Sequence, residues 1–241
     1  MKTIVCAIGD IHGRLDLLTD LYGQIAVHPL VLQAERRVLV HLGDYVDRGP
    51  DSRGVIERVR QGLPGFESIS LMGNHEALML DYLDGKPDTE WWVRDGMGGA
   101  EALKSFGVDP LAVSNDLATA RTKIGEHVLD WLRTLRRSHT EGGYFFVHAG
   151  VKPGIPIAAQ NPDDLIWIRR EFTSSSRDFG LRVVHGHSPA AKPEIKKNRI
   201  GIDTGAVWTG HLTAALLDPA RANDAPIILM TNGPRLDDLS G

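Results

Sequence analysis

Side chains of the kinds that bind metal ions recur in this chain, each time beside a run of apolar residues. The three earliest segments read Gly-Asp-Ile-His-Gly at 9–13, Gly-Asp-Tyr-Val-Asp-Arg-Gly at 43–49 and Gly-Asn-His-Glu at 73–76. Two later segments read His-Ala-Gly at 148–150 and His-Gly-His at 185–187. Together they offer carboxylate, amide and imidazole groups but no thiolate. That mixture favours Mn, Fe or Zn over an all-oxygen magnesium or calcium site.

These ligand types, in this repeated context, predict a two-metal hydrolase of phosphate esters. The candidate metal ligands are Asp10, His12, Asp44, Asn74, His148 and His187. Functional side chains collect beyond the carboxyl ends of strands, so we expect the strands of one sheet to bring them together. Two ions about 3.5–4 Å apart share a carboxylate and a water, and Asp44 is central in the ligand order. The ions would lower the pKa of that water, so that a bridging hydroxide attacks phosphorus directly.

Four further residues fit the same chemistry. The leaving alkoxide needs a proton, and the imidazole of His75 is suited to donate one near neutral pH. Asp47 would hold the tautomer of His75 and raise its pKa. Arg48 and Arg169 would bind the remaining phosphate oxygens through paired N–H groups.

Short segments rich in Val, Ile and Phe predict eight strands. They are 3–8, 38–42, 68–72, 144–147, 182–184, 200–203, 212–218 and 226–230. Helical spacing of apolar residues between the first three, as at Leu18, Leu21 and Ile25, predicts a βαβαβ opening with parallel pairing. The last three have short connections containing Gly or Asn, which predict antiparallel hairpins or a second sheet.

The length of 241 residues suits one α/β domain over the whole chain, 1–241. Within it, residues 81–140 differ in pattern and are interpreted as a mostly helical insertion. Trp91 and Trp92 are interpreted as packing residues of that insertion in preference to a substrate platform.

The composition narrows the class of protein. With 27 basic and 31 acidic residues and no basic stripe, nucleic-acid binding is not expected. The single cysteine, Cys6, excludes an internal disulfide framework. The N-terminal apolar run is too short for a signal peptide, and no stretch has the length of a membrane span. These features predict a cytoplasmic protein.

The three early motifs, in this order and spacing, resemble those of the phosphoprotein phosphatase family of metallophosphoesterases. The chain is most similar to small bacterial and phage lambda-type members. Later segments agree: Trp-Ile-Arg at 167–169, Gly-His-Ser-Pro at 186–189 and Asp-Thr-Gly-Ala at 203–206. The resemblance implies a four-layer αββα fold. It also implies removal of phosphate from phosphoserine and phosphothreonine in one step, commonly with manganese, and often from phosphotyrosine and small aryl phosphates.

The resemblance also implies a role for each site residue. One ion would take Asp10, His12 and Asp44. The other would take Asp44, Asn74, His148 and His187. His75 and Asp47 would be the acid pair, with Arg48 and Arg169 as the phosphate clamps. Relatives often carry Arg where this chain has Met72. This chain therefore lacks one possible electrostatic contact but no metal ligand. The longer helical region and C-terminal grooves of the eukaryotic branch are missing, so no regulatory subunit is implied.

Plainer interpretations stand beside some of these assignments. Asp10 could cap a helix with His12 at the surface. Arg48 could be a surface charge, and Arg169 adjoins Arg170. Strand alternation cannot separate His187 from His185, and only the Gly-His-Ser-Pro match selects His187. A turn or supporting role suits Asp203 better than metal binding.

A serine/threonine protein phosphatase is the leading functional prediction. The nearest alternative is a dinucleoside tetraphosphatase, a branch that typically carries Asp where this chain has Glu76. A non-catalytic metal-bound module is a third alternative, disfavoured because every ligand and both members of the acid pair are present.

Overall fold

The computed structural model describes residues 2–94, 96–113 and 116–239. Two five-stranded sheets lie face to face. The strands are β1 Thr3–Ile8, β2 Arg36–His41, β3 Glu67–Ser70, β4 Ser138–Glu141, β5 Tyr144–Val147, β6 Arg182–His185, β7 Glu194–Ile195, β8 Arg199–Gly201, β9 Thr213–Leu217 and β10 Ile227–Met230. The first sheet has the order β10-β9-β1-β2-β3 and the second β4-β5-β6-β8-β7.

The parallel core of each sheet is flanked by antiparallel strands. The predicted βαβαβ opening is confirmed, since β1, β2 and β3 pair in parallel. In the second sheet β5, β6 and β8 are parallel. All eight predicted strands are present. The last three divide between the sheets: β9 and β10 form an antiparallel pair in the first, whereas β8 lies in the second.

The described helices are short, apart from α1. They are α1 Leu15–Val27, α2 Pro29–Leu32, α3 Ser52–Gln61, α4 Asn74–Leu83, α5 Trp91–Arg94, α6 Gly99–Ser105, α7 Leu117–Ile124, α8 Glu126–Arg133, α9 Asp164–Trp167, α10 Arg170–Thr173 and α11 Ala206–Thr209. Helices α5 to α8 lie between α4 and β4, in the segment of the predicted insertion. Among the described helices, none has both the length and the apolar character that a membrane crossing requires.

Three apolar layers hold the fold together, and strand alternation explains them. On β1, Val5 and Ala7 face the second sheet, where they meet Tyr144 and Phe146 of β5. The alternate residues of β1, such as Cys6, pack against the helices of the first sheet. A third cluster lies between the outer face of the second sheet and helices α9 and α10. The layers therefore follow the predicted αββα order, and the fold class is confirmed.

Candidate active site

The candidate residues converge where the carboxyl ends of strands from both sheets meet. Loops after β1, β2 and β3 come from the first sheet, and loops after β5 and β6 come from the second. The expectation that one sheet carries the whole site is therefore wrong. Hydrogen bonds join the loops: His12 N–H donates to Asp44 O at 2.9 Å, and Gly186 N–H donates to His148 O at 2.8 Å.

Unusual backbone conformation is concentrated at this point. Among the described residues, six other than glycine have a positive φ, and five of them are candidate site residues: His12, Asp44, Asp47, Arg48 and His187. The left-handed region is unfavourable for residues with a Cβ and persists only where the surroundings enforce it. The chain is thus held in strained turns to aim these side chains inward.

The carboxylate of Asp44 lies at the centre of the cluster. Its Oδ2 is 3.5 Å from His12 Nε2, and its Oδ1 is 3.4 Å from His148 Nε2. Two groups of potential metal ligands share it, one with His12 and His75 and the other with His148 and His187. This shared position is the one that a bridging ligand would occupy.

The tautomers of two imidazoles follow from their hydrogen bonds. His12 Nδ1 lies 2.8 Å from Val46 O, and His148 Nδ1 lies 2.9 Å from Leu42 O. A carbonyl oxygen can only accept, so Nδ1 carries the proton in both rings and Nε2 presents a lone pair to the cluster. Burial lowers the pKa of both rings, which favours the neutral form that binds metals.

Nitrogen and oxygen atoms of the kinds that bind metals lie close together on the second-sheet side. His148 Nε2 lies 3.0 Å from Asn74 Oδ1 and 3.2 Å from His187 Nδ1. Within the described residues, His187 Nε2 is buried without a hydrogen-bond partner. Burial lowers the pKa of His187 to about 2, so this ring is neutral too. Lone pairs converging at these distances fit a divalent cation between them.

Asp10 and Asp203 add buried carboxyl groups next to Asp44. Asp10 accepts the backbone N–H of His187 at 3.0 Å through Oδ2. Burial and the neighbouring carboxylates of Asp203 and Asp44 raise its pKa well above the usual value. Asp203 accepts Gly205 N–H at 2.9 Å, and burial raises its pKa to about 6. Carboxyl groups this close favour a bound cation.

The alternative of a helix cap fails for Asp10. The N-cap of α1 is Arg14, four residues later, and Asp10 lies instead in the cluster. His12 is also buried, not at the surface. Both residues therefore lie where a metal-binding role would need them.

His75 and Asp47 form a short, buried side-chain hydrogen bond in the site. His75 Nδ1 donates to Asp47 Oδ2 at 2.6 Å, while Nε2 lies 3.9 Å from Asp44 Oδ2. The carboxylates of Asp44 and Asp47 raise the pKa of His75, outweighing the opposing effect of burial. The same Asp47 oxygen accepts the indole N–H of Trp92 at 2.8 Å. Trp92 therefore reaches the site, beyond the packing role that its sequence context indicated.

Two arginines border the cluster. Arg48 contacts His12 Nε2, and its Nη2 lies 3.0 Å from His75 Nε2. Its guanidinium also stacks over the ring of Trp208 at 5.0 Å. On the opposite side, Arg169 donates to His187 O at 3.4 Å. Arg48 and Arg169 thus lie on the two sides of the cluster, and of the adjacent pair Arg169 and Arg170 it is Arg169 that contacts His187.

His185 lies outside this arrangement. It ends β6, and its ring contacts Phe172 edge-on while Nε2 faces Arg199 at 3.2 Å. His187 has a positive φ, and its side chain lies in the cluster. This backbone conformation separates two histidines that strand alternation would place on one face.

Glu76 is a supporting residue whose role the sequence motif did not reveal. Its buried carboxylate accepts the backbone N–H groups of Tyr45 at 2.7 Å and Asp44 at 2.9 Å. It also accepts those of Val46 and Gly73. Its position as the third residue of α4 is a capping signal that could have indicated this. Since Glu76 is fully buried, it cannot itself contact a substrate.

Comparison with known proteins agrees with this geometry. Residues 4–215 match the family model described as calcineurin-like phosphoesterase. Serine/threonine-protein phosphatase 1 of Salmonella typhimurium is 27% identical over 88% of this chain and 90% of its own length. A symmetrical bis(5'-nucleosyl)-tetraphosphatase of Dechloromonas aromatica is 31% identical over 88% and 92%. The resemblance seen in the sequence motifs is confirmed.

A solved structure shows the same fold. The protein serine/threonine phosphatase of Saccharomyces cerevisiae superposes with a TM-score of 0.62 over 97% of this chain and 81% of its own, at 13% identity. The relatives found by sequence carry names from two substrate classes, phosphoproteins and dinucleoside tetraphosphates.

Proposed function

The chain belongs to the calcineurin-like phosphoesterase family of hydrolases, and we propose that it is a metal-dependent phosphomonoesterase acting on phosphoserine and phosphothreonine in proteins. Phosphotyrosine and small aryl phosphates would be further substrates. A cytoplasmic location belongs to the same proposal.

The observation that carries the proposal is the hydrogen-bonded pair of His75 and Asp47. Asp47 fixes the Nδ1 side of the ring, and Nε2 faces Asp44 in the middle of the cluster. Serine and threonine alkoxides are poor leaving groups that need a proton as the P–O bond breaks. The nucleotide phosphate released from an anhydride needs none. A positioned imidazole acid therefore supports an alcohol ester as substrate.

The donor set fits two divalent ions, with manganese as the proposed metal and iron or zinc as alternatives. The residues that would hold them are Asp10, His12, Asp44, Asn74, His148 and His187. Bound ions would supply Lewis acidity and a water of lowered pKa. The chain contributes neutral imidazoles with fixed tautomers and a buried, shared carboxylate.

The remaining steps belong to the side chains around the cluster. Arg48 and Arg169 would bind phosphate oxygens and neutralise the charge that develops on them. His75 would donate its proton from Nε2 to the leaving oxygen, and the carboxylate of Asp47 would stabilise its protonated form beforehand.

A second candidate is hydrolysis of a dinucleoside tetraphosphate. Trp208 and Trp167 are 50% and 38% exposed. Trp208 stacks on Arg48, and Trp167 lies edge-on to His187 at 6.3 Å. Exposed rings beside the cluster can stack on a planar base. Several relatives are named as bis(5'-nucleosyl)-tetraphosphatases, which supports this candidate further.

Initial rates on a phosphoserine peptide and on diadenosine tetraphosphate, measured side by side, test the proposal. The protein is first stripped of metal and then assayed with and without Mn²⁺. The proposal predicts Mn²⁺-dependent phosphate release with higher kcat/KM on the peptide. A higher kcat/KM on the dinucleotide would overturn it and favour the second candidate.

A further inference from the structure

Trp92 of α5 and Gly98, which directly precedes α6, each contact the catalytic loop 43–49. The indole N–H of Trp92 donates to Asp47 Oδ2 at 2.8 Å. The carbonyl of Gly98 accepts the backbone N–H of Arg48 at 3.3 Å. Because Asp47 and Trp92 are fully buried, the first contact is shielded from solvent and is the stronger of the two.

Asp47 depends on few partners. Among the described residues, its Oδ2 accepts hydrogen bonds from His75 at 2.6 Å and Trp92 at 2.8 Å. Within the described part of the chain, its Oδ1 is buried with no hydrogen-bond partner. Trp92 therefore supplies one of the two contacts that set the rotation of this carboxylate.

The ring of Trp92 is itself held in place. A Cβ added at Gly99 would lie 2.5 Å from its Cδ2 and Cε2 atoms, so the backbone of α6 packs directly on the ring. On another side, the ring of Tyr82 lies 5.2 Å away between centroids. These neighbours pack against the ring while its indole N–H points at Asp47.

We propose that Trp92 is a positioning residue of the phosphatase reaction. Its N–H holds the Asp47 carboxylate in the rotamer that accepts from His75, so that His75 Nε2 faces the leaving oxygen. The inference rests on the proposed role of His75 as acid. It places Trp92, a residue of α5, among the residues that support the acid pair.

The neighbouring tryptophan gives a matched control. Trp91 is half-buried, and its indole N–H donates at 2.9 Å to the carbonyl of Asp88, three residues earlier in the chain. Replacing either tryptophan by phenylalanine removes one indole hydrogen bond, but only Trp92→Phe removes one from Asp47.

The test compares two leaving groups, with kcat and KM measured separately. A phosphoserine peptide releases an alkoxide that needs a proton, whereas p-nitrophenyl phosphate releases a stable phenolate. For Trp92→Phe we expect kcat on the peptide to fall by about tenfold or more, the size of effect produced by slight misplacement of a catalytic group. We expect unchanged KM, unchanged kcat on p-nitrophenyl phosphate and unchanged metal content. Trp91→Phe should match the wild type on both substrates.

Equal loss on both substrates, loss of metal or no loss at all would each overturn the inference. If Trp92→Phe does not fold, replacing Trp92 by 3-benzothienylalanine keeps the ring shape and removes only the N–H.

His75→Asn distinguishes failure of the proposed acid role of His75 from failure of the positioning role of Trp92. If His75→Asn shows no dependence on leaving group, the proposed acid is wrong. If it shows that dependence and Trp92→Phe does not, only the positioning role is wrong.

Discussion

The carboxylate of Glu76 accepts the backbone N–H of Asp44 at 2.9 Å, and both side chains are buried. Asp44 at this point has a φ of 54°, a conformation that a residue with a Cβ seldom adopts. The same carboxylate accepts the next two N–H groups of the loop. Glu76 thereby holds the loop that presents the central carboxylate of the site.

Glu76→Asp is predicted to lower stability without changing substrate preference. Shortening the side chain withdraws the carboxylate from buried N–H donors, which costs about 1–3 kcal/mol of unfolding free energy. Urea unfolding measures that loss. The ratio of kcat/KM on phosphoserine peptide to that on diadenosine tetraphosphate should stay constant, because the side chain contacts no substrate. A large shift of this ratio towards the dinucleotide would show that position 76 governs substrate choice after all.

His75→Asn is predicted to slow release of poor leaving groups while leaving metal content intact. Loss of general acid catalysis typically costs about 10²–10⁴-fold in rate. We expect this loss on the phosphoserine peptide and a much smaller one on p-nitrophenyl phosphate. Steady-state kinetics and metal analysis on the same preparation provide the comparison. Undiminished turnover of the peptide would rule out His75 as the acid.

Arg48→Ala is predicted to weaken binding of the transferring phosphoryl group. We expect kcat/KM to fall by an amount equivalent to about 2–4 kcal/mol, as when one electrostatic contact to a transition state is removed. Arg53→Ala is the matched control, since Arg53 is exposed on α3 and pairs with Glu57 at 3.0 Å. Inorganic phosphate should also inhibit Arg48→Ala less strongly. Wild-type kcat/KM in Arg48→Ala would remove this residue from the site.

Stability is predicted to fall as the pH is lowered, because His41 becomes protonated more readily in the unfolded chain than in the folded one. This ring is buried against the hydroxyl of Tyr22 at 2.7 Å, and burial lowers its pKa from 6.5 to about 4. Between those values the unfolded chain binds the extra proton and the folded chain does not. The contribution is therefore complete above pH 6.5 and is lost progressively as the pH falls towards 4, to a total of roughly 3 kcal/mol.

Urea unfolding of His41→Gln between about pH 3.5 and 8, a range that spans both pKa values, checks this. The variant should be less stable at pH 8 but lose less stability on acidification than the wild type. His127→Gln, at an exposed position of α8, should keep the wild-type slope. Identical slopes in His41→Gln and the wild type would contradict the assignment.

Much of the fold followed from local patterns, because buried strands have a strong apolar signal. Strands β1 and β5 were predicted at their observed bounds. The two strands that were missed lack that signal: β4 reads Ser-His-Thr-Glu, and β7 has only two residues. The division of the last three strands between sheets is set by long-range packing, which local periodicity does not contain.

Sequence motifs predicted those residues of the candidate site that directly follow strands. Asp10, Asp44 and His148 lie in such positions and come together in the structure. Trp92 was not recognised because its hydrogen bond to Asp47 joins residues 45 positions apart. No spacing rule reports such a contact, and an aromatic residue among apolar ones is most simply explained by packing.

We propose that the converged residues hold two metal ions around Asp44. The most direct test is equilibrium binding of Mn²⁺ to metal-stripped protein, with Asp44→Asn as the variant and Asp16→Asn, on the exposed side of α1, as the control. We expect about two tightly bound ions per chain for the wild type and for Asp16→Asn. For Asp44→Asn we expect weak binding at both metal positions. Retention of two tightly bound ions by Asp44→Asn would contradict it.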